Sequence, residues 1–162
     1  DEKADSPNVF ATEMFSITPQ DDIRTAQYKN MICSKNLIKK LLAAYKEGNI
    51  SVRTDSKDFD SWYNKRTAAD GKIDFHGRTR EIYNLIRGVA APFPGAFAYV
   101  GEEKVTVWEA QPFDEMIDFS AYAPGEVIDV FDGHPIVRTV DGSLLIKKYE
   151  SAKELQAGDV LA

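Results

Sequence analysis

Few side chains in this sequence have a type and spacing that could do chemistry. Two histidines, His76 and His134, one cysteine, Cys33, and acid pairs such as Asp21 and Asp22 are the first groups to weigh for proton transfer, nucleophilic attack or metal ligation. The histidines stand far from each other and from Cys33, so no zinc pattern can be drawn, and each reads as a surface histidine. Cys33 falls on an apolar periodicity of helical spacing and reads as a packed thiol. Asp21 and Asp22 end "TPQDD", where a helix dipole favours negative charge, and read as helix-start acids. No phosphate-cradling glycine loop, dinucleotide fingerprint, nucleophile elbow or H-E-x-x-H pair is present.

The elements that must position any site follow from pattern. Apolar residues on both faces of Val9 to Ile17 predict a strand covered on at least one side, whose open edge could pair with a second copy of the chain. Thr18 as N-cap and Pro19 at the first helical position predict a long helix from Pro19 to Glu47, with Ile23, Met31, Leu37, Ile38, Leu41 and Tyr45 on its apolar stripe and Gly48 at its exit. The polar stretch that follows lacks periodicity and predicts a connector, giving three parts: 1–50, a linker over 51–68, and a domain over 69–162. In that last part Thr79 is a candidate cap, Ile82, Leu85 and Ile86 share one face of a short helix, and Gly88 is its expected stop. Five segments rich in aromatic and β-branched residues come next, "GAFAYV", "KVTVWEAQPF", "GEVIDVF", "PIVRTV" and "SLLIKKYE", with Gly or Asp turns between most of them. They predict a small antiparallel barrel, partly open and OB-like, so the fold class is α+β.

Charge narrows the partners. Residues 89–162 hold five Lys or Arg against 13 Asp or Glu, whereas residues 1–88 hold 15 against 13. A surface that binds nucleic acid nonspecifically needs cations to displace phosphate counterions, so nucleic acid is a poor partner for the C-terminal half. No apolar run is long enough for a membrane span and no leader pattern precedes the first strand, so the expected setting is the cytoplasm. The first residue is Asp1 and the strand after it needs neighbours, so the chain is expected to begin inside a larger protein.

"NLIRGVAAPFPGAFAYVGEEKVTVW", from Asn84 to Trp108, resembles the junction into the C-terminal domain of the folate-dependent formyltransferases, the group of methionyl-tRNA formyltransferase and the sugar-nucleotide N-formyltransferases. The residues that carry the resemblance are Asn84, Arg87, Phe93, Pro94, Gly95 and Ala96, an Asn-x-x-Arg helix end followed by an aromatic-Pro-Gly-Ala turn. "AADGKIDF" at 68–75 is similar to the Asp-Gly-x-Ile-Asp-Trp segment before that junction, with Phe75 in place of Trp, and "GSLLIKKYE" and "LQAGDVL" are similar to the family's closing strands. "DEKADSPNVFATEMFSITPQDD" resembles the stretch that carries the family's catalytic aspartate, which falls on Asp5. The family has glycine two residues later, where this chain has Pro7, so the loop departs from the pattern and Asp5 also reads as an exposed loop carboxylate.

The resemblance implies a strand and long helix from the end of a truncated Rossmann-like formyltransferase domain, then the barrel. It implies 10-formyltetrahydrofolate as co-substrate, no metal, and an aminated small molecule as acceptor. The wording is most similar to the domain that acts on UDP-4-amino-4-deoxy-L-arabinose. In the family an Asn-x-His motif and the aspartate promote attack of the amine on the formyl carbon. Neither member of that motif occurs in these residues, so this chain alone is expected to be inactive. Two other readings stand beside this one: the C-terminal half of a methionyl-tRNA formyltransferase, and a non-catalytic OB-like binding module.

Overall fold

A computed structural model describes residues 8–54 and 63–162. The chain divides into two compact units, one of Asp1–Asp21 and Thr25–Lys65, the other of Asp22–Arg24 and Arg66–Ala162. No helix among the described residues is long and apolar enough to cross a membrane.

The first unit holds a two-residue strand β1 (Asn8–Val9), a helix α1 (Ile23–Lys46) and a two-residue strand β2 (Arg53–Thr54), with β1 and β2 antiparallel. The strand expected over Val9 to Ile17 is therefore far shorter. A strand extends only as far as its neighbour, and β2 offers two residues. Beyond Val9 the segment lies along α1 on polar ties: the Asn36 amide donates to Glu13 Oε1 at 3.2 Å, and Lys29 Nζ donates to the Ser16 carbonyl at 3.0 Å.

The helix begins at Ile23, not Pro19. Thr18 does not cap it; its N–H and hydroxyl both donate to Asp21 Oδ2, at 2.7 and 3.0 Å, while the Asp21 N–H donates back to the Thr18 carbonyl, closing a turn over Pro19 and Gln20. That turn uses up the groups a helix start would need. The apolar stripe predicted on α1 is present but none of it is fully buried: Met31, Ile38 and Tyr45 are more than half exposed, and Ile23 and Leu37 are half-buried.

The second unit is a five-stranded antiparallel sheet over one helix. A 3-10 turn (Ala68–Gly71) precedes helix α2 (Thr79–Val89), and β3 (Ala96–Val100), β4 (Glu103–Asp114), β5 (Val127–Phe131), β6 (His134–Arg138) and β7 (Ser143–Glu150) follow. The spatial order is β3-β4-β7-β6-β5. All five strands stand where the aromatic and β-branched segments predict them. Register shifts along β4 bend it, so its first part, Glu103 to Val107, pairs with β3 while Thr106 to Asp114 pairs with β7.

The two outer strands of this sheet are bridged by the end of the chain. Tyr99 on β3 exchanges both backbone hydrogen bonds with Ala162, while the Leu161 N–H donates to Gly125 and the Val127 N–H to Asp159. These bonds cover edges that would otherwise recruit another chain. The core between sheet and helix contains Ile73, Phe75, Ile82, Ile86, Val105, Val107, Leu144, Ile146 and Leu161.

Thr79 is the first residue of α2 rather than its cap. It is fully buried, with its N–H and hydroxyl 2.7 and 2.8 Å from Asp141 Oδ1 and its hydroxyl 2.6 Å from that of Thr139. Asp141, in the β6–β7 turn, thus satisfies the helix start from across the fold. Gly88 is not the stop either, since α2 runs through Val89 and leaves through Ala90 and a cis Ala91–Pro92 bond.

Candidate functional site

Asp5, the one catalytic candidate, lies outside the described residues. The other candidates are spread over both units. Asp21 is buried at the foot of α1, where it accepts from Lys29 Nζ at 2.6 Å. That ammonium, and after it the Thr18 N–H, holds the Asp21 carboxyl well below the usual carboxylate range. Its oxygens are committed to the Thr18–Asp21 turn and to Lys29, and α1 starts at Ile23 with no acid in its first turn, so Asp21 is not the helix-start acid the sequence suggests. His76 pairs with Asp74, whose Oδ1 accepts the His76 N–H at 2.9 Å and lies 3.2 Å from Nδ1. Both side chains are about 80% exposed, and water at such a site leaves little field to act on a substrate. His134 is half-buried at the start of β6, and Cys33 is a half-buried free thiol.

What the structure does bring together are the two stretches that carry the junction motif. The 3-10 turn, one flank of α2 and the Phe93–Gly95 turn enclose a groove, with Leu85, Val89 and Phe93 as its apolar part and Asp70, Asn84 and Arg66 as its polar part. Each wall has a local cause. Asp70 accepts from the N–H and hydroxyl of Thr67, which starts the 3-10 turn and, led by that N–H, holds the Asp70 carboxyl below its ordinary value. Asn84 Oδ1 accepts from Arg87 Nε at 2.8 Å, one turn along α2, so the Asn-x-x-Arg pair braces the helix on itself. The Gly95 N–H donates to the Val89 carbonyl at 2.9 Å and the Phe93 N–H to Ala90 at 3.0 Å, folding the exit turn back on the helix end.

Glycine is required at two places in this wall. Gly95 has φ of 84°, and a Cβ there would stand 2.8 Å from Thr106 Cγ2 and 2.9 Å from Trp108 Cζ3. A Cβ on Gly71 would stand 2.7 Å from the Gly95 carbonyl. The Asp-Gly and Pro-Gly motifs, 24 residues apart in sequence, therefore meet backbone to backbone. The seating of Gly95 on Thr106 and Trp108 has no signal in the sequence beyond the glycine itself.

No histidine lines the groove. Its chemistry is that of a binding or docking surface: an apolar floor for a flat or aliphatic group and a few polar groups to orient it. Nothing in it can relay a proton through an imidazole.

Most of the chain shares its fold with solved structures. It aligns with HypX from Aquifex aeolicus in complex with tetrahydrofolic acid at a TM-score of 0.69 and 20% identity, over 94% of this chain and 26% of that one. A multiply substituted variant of the same protein aligns at a TM-score of 0.70 and 20% identity, over 94% and 27%. At that identity the likeness is one of fold, and the chain spans about a quarter of the structures it matches. A family model described as the formyl transferase C-terminal domain matches residues 65–162. That span holds the 3-10 turn, α2, the proline-glycine exit and all five strands of the larger sheet, and through it this chain belongs to the formyl transferase family.

Proposed function

We propose that the chain is the C-terminal portion of a folate-dependent formyltransferase that moves a formyl group from 10-formyltetrahydrofolate to the amine of an amino-sugar nucleotide. The observation that carries this reading is the family match over 65–162, joined to the convergence of both junction motifs on one groove. A second observation supports the larger assembly: α1 presents a row of exposed apolar side chains that only a further packed layer would take out of water. The linker over 51–68 then joins the piece of catalytic domain to the C-terminal one. HypX, which shares the fold, is itself seen with tetrahydrofolic acid.

The chemistry assigned to this chain is limited. The amine must lose a proton as it attacks, and the carbonyl oxygen becomes anionic in the tetrahedral intermediate, so the site needs a base and donors aimed at that oxygen. Asp5 supplies a carboxylate that orients an imidazole and favours its protonated form. The imidazole and its asparagine partner come from the rest of the protein, with the folate pocket. The groove sets the C-terminal domain beside the acceptor.

A methionyl-tRNA acceptor is the second reading. The excess of 13 carboxylates over five cations across 89–162 weighs against it, and the arginines of α2 are its best foothold. Assay of the complete gene product with 10-formyltetrahydrofolate and UDP-4-amino-4-deoxy-L-arabinose, beside the 162-residue chain, tests the proposal. Turnover by the complete product alone supports it; turnover by the short chain refutes the assignment of the missing groups.

A further inference from the structure

Asp-Gly occurs three times in the sequence, at 70–71, 132–133 and 141–142. In such a pair no side chain on the second residue shields its backbone nitrogen from the carboxyl carbon of the first, and the two can close a five-membered ring. The fold treats the three pairs differently.

Two of them are locked. The Asp70 carboxylate accepts from the N–H and the hydroxyl of Thr67, and Gly71 is buried so closely under the Gly95 carbonyl that a methyl group has no room. The Asp141 carboxylate accepts from the N–H and the hydroxyl of Thr79, and the Gly142 carbonyl accepts from the Thr139 N–H at 3.0 Å and from Arg138 at 2.8 Å. In both pairs the backbone N–H on the carboxylate, of Thr67 and of Thr79, holds the carboxyl below its ordinary value. An ionised carboxylate resists nucleophilic attack, and neither peptide plane can turn without breaking these contacts.

Asp132 and Gly133 stand apart. They form the exposed two-residue turn between β5 and β6, with φ of 51° and 77°, closed by the Phe131–His134 pair. Both angles are positive, the type I′ geometry of a tight hairpin. Among the described residues the Asp132 carboxylate has no hydrogen-bond or ion-pair partner, and a Cβ on Gly133 would meet nothing within 4 Å. Ring closure needs the peptide between them to rotate. The turn sits at the tip of an outer strand, where local opening leaves the core intact.

We propose that Asp132–Gly133 is a site of spontaneous covalent modification, at which the aspartate converts through a cyclic imide to isoaspartate while the other two pairs stay intact. The Gly133 backbone nitrogen attacks Cγ of the carboxylic acid form of Asp132. An N–C bond forms, the Cγ–OH bond breaks, and the hydroxyl leaves with the amide proton as water. Solvent water then adds to either imide carbonyl. Opening at the side-chain carbonyl restores aspartate; opening at the main-chain carbonyl leaves the chain running through the former side chain, with a free carboxylate on Cα. No electron is gained or lost. The product carries an extra backbone carbon that a two-residue I′ turn does not accommodate, so the Phe131–His134 pair is lost and the end of β5 frays. None of this depends on what the intact protein catalyses.

Peptide mapping of the 162-residue chain, aged at neutral pH over several weeks, tests the proposal, with isoaspartate located by electron-transfer fragmentation and circular dichroism confirming that the sample stays folded. Conversion at Asp132 is expected to exceed that at Asp70 and at Asp141 by about tenfold or more, since each of those must first give up charge-assisted hydrogen bonds. In concentrated urea, where the locks are gone, the three pairs are expected to convert within about threefold of one another. Asp132→Glu, which would need a six-membered ring, is expected to remove the signal at that site and leave the other two unchanged. Equal conversion of the three pairs in the folded chain, no conversion at Asp132 over the time in which the unfolded chain converts, or a preference for Asp132 that persists unchanged in urea would each overturn the proposal.

Discussion

Two glycines on the groove wall should respond in opposite senses to the same added methyl group. Gly95 has φ of 84°, a region that costs an L residue about 1–2 kcal/mol. Its Cβ would also come within 2.8 Å of Thr106 Cγ2 and 2.9 Å of Trp108 Cζ3. Carbon pairs pack best at about 3.5–4.0 Å, so one side chain must move, and overpacking of this kind costs about 1–3 kcal/mol. Together Gly95→Ala should lose roughly 2–5 kcal/mol, a large part of the ~5–15 kcal/mol by which a native protein is stable. Gly88 is helical, and a Cβ there meets nothing within 4 Å. Gly88→Ala should therefore gain about 0.5–1 kcal/mol by lowering the entropy lost on folding. Urea unfolding followed by indole emission checks both, in a Trp62→Phe background that leaves Trp108 as the single tryptophan. A loss below about 1 kcal/mol at Gly95, or equal effects at the two glycines, would refute the seating of the exit turn on Trp108.

Other outcomes follow from the same contacts. Asp141→Ala should cost about 1–2 kcal/mol by removing the acceptor for Thr79 at the start of α2, whereas Asp141→Asn, which keeps an oxygen there, should cost less; chemical denaturation separates them. The Thr79 N–H, with smaller help from its hydroxyl, depresses the Asp141 carboxyl in the fold, so this stabilisation is complete above the unfolded value of about 3.9 and fades as pH falls through the folded one. Unfolding curves taken from pH 6 to pH 2 should show a smaller loss in Asp141→Asn than in the parent, the remainder coming from other depressed carboxylates such as Asp21 and Asp70. Removing residues 159–162 deletes the backbone bonds to Tyr99, Gly125 and Val127 and the buried Leu161, and should cost at least about 2–3 kcal/mol with new self-association at β3, read by melting and sedimentation. Lys29→Met should raise the titration midpoint of Asp21 toward the ordinary range and speed amide exchange over residues 16–21; a carbon-detected NMR titration shows whether it does.

Much of the second unit was legible because each signal was local. β-Branched and aromatic runs separated by Gly or Asp turns marked five strands, and Ile82 and Ile86, one turn apart, marked the buried face of α2. The bridging of the outer strands was not legible, since "LQAGDVL" has no strand pattern and its bonds are set by where Gly125 and Tyr99 happen to lie. Thr18 misled for a physical reason: a threonine before Pro19 can cap a helix or close a turn with Asp21, and Lys29 tips the choice by fixing Asp21 from the next turns of α1. Apolar periodicity found α1 but could not show that much of its stripe stays exposed, because period reports a face and not what covers it. For the site, sequence supplied the residues of the groove through the junction motif, while Asp5 rests on resemblance and falls among residues the structure leaves undescribed.

The most direct measurement is single-turnover formyl transfer by the complete gene product, with Asp5 intact and with Asp5→Asn, at saturating 10-formyltetrahydrofolate and amino-sugar nucleotide. If Asp5 positions and charges the catalytic imidazole, the asparagine variant should slow by about 10²–10⁴-fold while folate affinity changes little. A variant within about threefold of the parent rate would contradict the assignment of the reaction to this carboxylate.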